Sequence, residues 1–271
     1  MQRAKGRAVA DFRLTAGRTR LARLHQAGCL KLRFPTVFGD VSQYAERDPG
    51  AEAILINSSG GLTGGDRLEQ SFSLEAGASL SITTQACERV YRAASGEARM
   101  RTSISVGKGA DLAYLPQETI LFDGGALSRH IEIDCAASSR LLLVESVILG
   151  RTLMGERVRR GLFRDRWRIR RDGRLVHADD LRFDGEIERI AASTASLGGA
   201  RAFSTILLQA PDVEAVLDAA RALLGPAGGA SVFDGLVLIR LVADDGFSLR
   251  KRLVPLLSKL AKRPLPRVWS T

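Results

Sequence analysis

Period-two alternation of apolar and polar residues, broken at short intervals by turn residues, runs from about residue 51 to 195 and constrains the fold more than any other feature of the chain. Successive side chains of a strand point to opposite faces, so such alternation marks strands with one face buried. Leu68, Phe72 and Leu74 alternate with Glu69, Ser71, Ser73 and Glu75; Leu80 and Ile82 alternate with Ser79, Ser81 and Thr83; Ile131 and Ile133 alternate with Glu132 and Asp134. A weak internal echo lies over this pattern. Gly77-Ala78-Ser79-Leu80, Gly109-Ala110-Asp111-Leu112 and Ser138-Ser139-Arg140-Leu141 each open a strand, at intervals of 32 and then 29 residues. That spacing suits a coil of stacked layers, each burying the face of the next.

After about residue 200 the texture changes. Val213, Val216, Leu217, Ala220, Leu223 and Leu224 recur at helical spacing, with Asp212 placed as N-cap and Gly225 as stop. The run 231–242 reads as one or two strands, and Leu249, Leu253, Leu256, Leu257 and Leu260 trace a second helix that Pro255 should kink or shorten. The predicted fold is therefore mainly β: an elongated, β-helix-like body of stacked strands over about 1–200, with a small α+β portion containing two helices over about 201–271. Both belong to one domain spanning 1–271, and a hydrophobic content of 45% suffices for its core.

The longest apolar run, 141–149, is interrupted by Glu145 and falls short of the ~20 residues a membrane span needs, so no membrane association is expected. The arginine-rich start of the chain lacks the apolar stretch of a secretory signal, which points to the cytoplasm. Cys29, Cys87 and Cys135 are odd in number and far apart, against both a disulfide framework and a Cys-x-x-Cys site. His25, His130 and His177 have no partner at metal-ligand spacing. No catalytic constellation stands out, and an enzyme is not expected.

Three segments carry chemistry. Asn57-Ser58-Ser59-Gly60-Gly61-Leu62-Thr63-Gly64-Gly65-Asp66-Arg67 has four glycines that permit positive φ, but Asp66 and Arg67 stand where a phosphate loop needs Lys and then Ser or Thr. Taken alone it reads as a tight turn. Glu145 lies in a strand otherwise apolar on both faces; buried there, it must be neutral, paired with an arginine, or beside water in a wet interior passage. From Arg157 to Arg174, Arg166, Arg168 and Arg170 alternate with Trp167 and Ile169, presenting one guanidinium-rich face. That face is either solvated or a partner-binding surface, since arginine pairs bidentately with carboxylates.

Taken together, these segments resemble one family. The loop Gly60-Gly61-Leu62-Thr63-Gly64-Gly65-Asp66, then Thr83-Thr84-Gln85-Ala86 running into Val90-Tyr91-Arg92, are similar to the urease accessory protein UreD. Leu115-Pro116-Gln117-Glu118-Thr119-Ile120-Leu121-Phe122-Asp123, Leu149-Gly150-Arg151 before Gly155-Glu156, and Leu265-Pro266-Arg267-Val268-Trp269 follow in the same order, so the resemblance spans roughly residues 20 to 270. It implies a non-enzymatic scaffold or chaperone that binds apo-urease together with UreF and, through UreF, the GTPase UreG, as a dimer of complexes. It further implies nickel passing transiently through an internal, water-filled passage. Asp66, Glu145 and Asp179 would be the acidic positions along it.

Two other readings follow from the residues. A net charge of +10 fits a nucleic-acid or anionic-surface binding module, although aromatics at 6% are sparse for single-strand recognition and no nucleic-acid partner is expected. A hydrolase using Asp66, Glu118 or Glu145 would need a closed pocket joining two of them.

Overall fold

The computed structural model describes residues 3–35, 50–151, 154–211 and 213–270. Along the chain run β1 (Lys5–Thr15), β2 (Arg18–Gly28), β3 (Leu30–Arg33), β4 (Ala51–Asn57), β5 (Arg67–Leu74), β6 (Ser79–Thr84), β7 (Glu88–Val90), β8 (Ala98–Val106), β9 (Asp111–Leu115), β10 (Thr119–Leu121), β11 (Ala126–Cys135), β12 (Arg140–Leu149), β13 (Gly161–Arg171) and β14 (Arg174–Gly185). A short helix α1 (Ile187–Ala192), β15 (Ala202–Gln209), α2 (Val213–Leu224), β16 (Gly228–Phe233), β17 (Leu236–Ala243) and α3 (Gly246–Leu260) complete it.

The expected stacked-strand coil is present. β5, β8, β11 and β13 lie parallel in one sheet, and β4, β6, β9 and β12 lie parallel in a second, the chain alternating between them. Phe72 stands beside Ile104, Ile104 beside Ile133, and Ile133 beside Ile169. The echo at Gly77, Gly109 and Ser138 is the turn that starts each layer of the second sheet, because the strands after them pair Ser79 with Asp111 and Asp111 with Arg140. The first sheet ends in β14 on one side and β1–β2 on the other; the second is extended by β15, β17 and β16 in antiparallel pairing.

One core lies between the sheets, with Phe72, Ile133, Phe163 and Trp167 facing Leu80, Leu112, Leu143 and Val147. A second lies on the outer face of the second sheet, where Leu142, Val144, Ile206 and Ile239 meet Leu217, Leu249, Leu253 and Leu257 of α2 and α3. This helical layer explains why β12 is apolar on both faces. It also corrects the reading of β6: Ser81 and Thr83 face the covered side and are buried, Thr83 donating its hydroxyl to the Leu115 carbonyl at 2.7 Å.

Other departures are local. The β1–β2 hairpin had no clear signal, since small residues, Ala8 and Ala10, fill the inward positions ahead of Phe12. Helix α1 falls inside the segment read as strand. Helix α3 runs through Pro255, which sits on the exposed side with Lys251, where the carbonyl that loses its partner can be hydrated. Gly225 ends α2 with φ of 55°, as expected, whereas the Asp212 cap lies outside the described residues.

Candidate functional site

The second sheet is opened at one point by its own sequence. β12 pairs with β9 from Arg140 to Leu143 and with β10 from Val147 to Leu149, so Val144, Glu145 and Ser146 have no strand alongside on that edge. Between β9 and β10, Pro116-Gln117-Glu118 leaves the ladder; Pro116 has no N–H to contribute. Behind this break lies a cleft of about 190 Å³. Its lining runs from exposed Gly60, Gln85 and Arg89 to buried Gln70, Tyr114, Thr119, Arg129 and Glu145.

The inner end is charged. Arg129 stands at an inward position of β11 and Asp165 at the neighbouring inward position of β13, in direct register. The guanidinium donates from Nε to Asp165 Oδ1 at 2.9 Å and from Nη2 to Oδ2 at 2.6 Å, while Nη1 binds Glu145 from the facing sheet and Thr119 Oγ1 at 3.3 Å. The three are only 2%, 6% and 4% exposed for Arg129, Asp165 and Glu145, so the group is sealed by protein on most sides. One guanidinium faces two carboxylates. Asp165 already holds it bidentately, so ionising Glu145 as well would bury an excess negative charge. Burial therefore raises the Glu145 carboxyl above its ordinary range, against the pull of Arg129 and with help from Asp165.

The outer end carries Glu88, whose oxygens accept from Asn57 Nδ2 at 3.2 and 3.1 Å. Burial pushes its carboxyl up to about 7, partly opposed by the Asn57 bond and slightly reinforced by the charge of Asp66. Beside it, burial and the nearby Glu118 carboxylate push the Cys87 thiol up to about 12, so it stays protonated and donates to Glu118 Oε2 at 3.4 Å. Arg250 of α3 holds Glu118 at 3.1 Å, Gln117 Oε1 at 2.8 Å and the Val268 carbonyl at 2.8 Å, and lies 5.0 Å over the Trp269 ring. Trp269 Nε1 donates to the Leu115 carbonyl at 3.1 Å, and the Gln117 amide donates to Thr84 Oγ1 at 2.9 Å. The glycine loop, the Thr83-Thr84-Gln85-Ala86 segment and the Leu115-Pro116-Gln117-Glu118 segment thus meet around one cleft, and the closing Leu265-Pro266-Arg267-Val268-Trp269 backs the last of them through Trp269 and Arg250.

The acidic positions singled out in the sequence are not brought together. Glu145 lines the cleft. Asp66 is buried at the end of the glycine loop, where Oδ1 accepts from the Ala4 amide and Oδ2 from the Thr63 amide, both at 2.8 Å. It closes the loop onto the N-terminal strand and is not among the residues lining the cleft. Asp179, on β14 beside Trp167, pairs with Arg240 of β17 and clasps the two sheets along their outer edge. Arg166, Arg168 and Arg170 do point outward from β13, opposite Trp167 and Ile169; Arg166 donates to Asp180 at 2.9 Å. Glu118 and Glu145 belong to the same cleft region but are each bound to an arginine. Among the described residues no group of three or more His, Cys, Asp or Glu side chains is disposed to hold a metal ion, and no helix is long and apolar enough to cross a membrane.

Sequence reasoning passed over Glu88, Arg129 and Asp165. The signal was present for two of them: Leu127-x-Arg129-x-Ile131 and Phe163-x-Asp165-x-Trp167 put a charge at an inward position of an otherwise regular alternation. Glu88 sits on a three-residue strand too short to show a phase.

Comparison with known proteins matches residues 4–270 to the family model described as UreD urease accessory protein. The chain is 49% identical over 271 residues to a urease accessory protein UreD of Rhizobium leguminosarum bv. viciae, covering 99% of this chain and 96% of the relative. It is 50% identical over 270 residues to that of Agrobacterium fabrum, covering 99% and 92%. To that of a Chelativorans species it is 46% identical over 274 residues, covering 100% and 95%.

Proposed function

The chain belongs to the UreD urease accessory protein family, which carries a role in urease maturation, and from that premise we propose that it passes nickel toward apo-urease through the cleft behind its glycine loop. It does so as a scaffold without catalysis of its own, in the cytoplasm. It binds apo-urease together with UreF and, through UreF, the GTPase UreG, in a dimer of complexes joined by UreF.

The observation that carries this reading is the line of polar side chains through an otherwise largely apolar cleft, from Glu88 at the outside to Arg129 and Glu145 within, backed by Asp165. A divalent cation leaving bulk water needs oxygen atoms to replace its hydration, and carboxylates serve best. Glu88 offers one at the mouth, Gln70 and Tyr114 offer neutral oxygens on the way, and Glu145 offers a second carboxyl, which an arriving cation would favour in its ionised form. Arg129 opposes a cation at the inner end, so nickel is held weakly there and is released. The neighbouring thiol of Cys87, kept protonated, does not trap it. Asp66 serves the passage indirectly, by holding the glycine loop in shape. Asp179, expected on the passage, acts at the sheet edge instead.

The test is co-expression with urease and its other accessory proteins, reading complex assembly, urease-bound nickel and activity. Glu88→Gln with Glu145→Gln keeps both shapes and leaves Arg129 paired with Asp165. Assembly should persist while nickel loading falls at least roughly tenfold, as expected when the carboxylates that replace hydration are lost. Normal loading in this variant rejects the passage; full activation without the chain rejects the maturation role itself.

A further inference from the structure

We propose that the open end of the seven-stranded sheet, where Arg67 and Arg99 line a shallow depression, Arg3 lies against it and Lys5 and Arg164 continue the row on either side, is a docking surface for an acidic segment of a partner protein. The parallel register builds it. On the outer face Lys5 stands beside Arg67, Arg67 beside Arg99, Arg99 beside Ser128, Ser128 beside Arg164 and Arg164 beside Arg182. Neighbouring strands are ~4.8 Å apart, so this row crosses about 24 Å of sheet with five cations in six places. Only two of the five have a carboxylate: Arg99 binds Glu97 at 3.0 Å, and Arg182 binds Asp184. Among the described residues, Arg3, Lys5, Arg67 and Arg164 pair with none.

Like charges held in a row repel one another, and an arrangement that keeps three of the row's cations and the adjacent Arg3 unpaired is complete only when an anion lies across it. The depression beside the row, about 570 Å³, is lined by Gly65, Gly96, Arg67, Arg99, Ala126, Leu162 and Glu97, the carboxylate that Arg99 already binds. Its floor is backbone and apolar surface, and on its rim Arg67, Arg99 and the Arg3 side chain lying against Gly65 outweigh the single carboxylate of Glu97. That shape suits an extended chain bearing carboxylates, which arginine forks grip bidentately. A nucleic acid fits less well. The row offers no aromatic side chain on which a base could stack, and the rows behind it on the same face interpose Glu69, Glu132, Asp134 and Asp180, which repel a phosphodiester backbone lying across the sheet. The glycine loop joins this surface to the cleft: Gly60 and Gly61 line the cleft while Gly65 lines the depression. A segment docked here sits against the wall of the cleft mouth. The inference stands on the sheet surface and does not require that nickel use the cleft.

The test is fluorescence anisotropy of a labelled oligoglutamate of about ten residues, long enough to cross the row, titrated with the full chain at near-physiological salt. A single-stranded oligothymidylate of the same charge is titrated in parallel. Arg67→Glu with Arg164→Glu should weaken peptide binding at least roughly tenfold, whereas Lys108→Glu with Lys259→Glu, an equal change of net charge elsewhere, should leave it unaltered. Arg67→Gln with Arg164→Gln, a milder change, should fall between. Circular dichroism and thermal melting of each variant report folding. Equal losses in both charge-reversed variants, absence of peptide binding by the native chain, or tighter binding of the oligothymidylate would each overturn the proposal.

Discussion

Glu145 occupies a place in β12 that Leu143 and Val147 on either side fill with apolar carbon. Only its contact with Arg129 makes a carboxyl there tolerable, since an unpaired buried charge costs several kcal/mol. Arg129 is itself held from the neighbouring strand by Asp165, and so three polar side chains interrupt the core as a unit. Glu88 shows the same tension nearer the surface. Its folded value, raised to about 7 from an ordinary 4.5, means that between those pH values the folded chain keeps a proton the unfolded chain has lost. Its contribution to stability is therefore fully present below about 4.5 and is lost as pH rises through about 7. Glu88→Gln retains an acceptor for Asn57 and removes the titration. Its unfolding midpoint in urea, measured from pH about 5 to about 8, should fall less steeply with pH than that of the native chain. Parallel profiles would mean that Glu88 ionises in the folded protein as it does in water.

At the scale of the element, the glycine loop between β4 and β5 is the part whose shape matters most. Gly61 has φ of 143° and lies so close to the Tyr91 ring and the Arg89 carbonyl that a Cβ would come within 2.5 and 2.8 Å of them. Asp66 fixes the far end of the loop by accepting two backbone amides, and each buried donor left without a partner costs ~1–3 kcal/mol. Asp66→Ala should lower the urea midpoint and raise hydrogen exchange over residues 57–67 and at Ala4, leaving exchange in β11–β13 unchanged. Exchange that stays slow in the loop would show that its glycines alone hold it. The outward arginines of β13 were legible because a strand shows its two faces in its own residues. The row from Lys5 to Arg182 was not, because it is assembled from six strands far apart in the chain.

The whole molecule is a coil in which the parallel pairs join residues about one layer apart, except that β1 joins β5 across about two layers, Lys5 standing beside Arg67. Apart from its local hairpins, such a fold must close loops of about thirty residues or more before a parallel ladder rewards it, which makes folding slow. Stopped-flow refolding by tryptophan fluorescence, with Trp167 in the inter-sheet core and Trp269 under α3, should show a main phase of roughly seconds or longer with accumulated intermediates. A single phase in the microsecond-to-millisecond range would contradict the long-range character of the fold.

The amino-acid sequence by itself determined the strand phases, the interval between layers, the two C-terminal helices and the family, because each is written in neighbouring residues or in ordered motifs. It marked Glu145 as a charge within an apolar strand, and it carried, unread, Arg129 and Asp165 as charges at inward positions of regular alternations. Only the tertiary structure decided that these three meet, that Asp66 is spent on closing a loop while Asp179 clasps the sheet edge, and that cations from distant strands align in a row. The reason is physical: alternation fixes which face a side chain takes, but the register between strands, and hence which charges become neighbours, is set by how the layers stack.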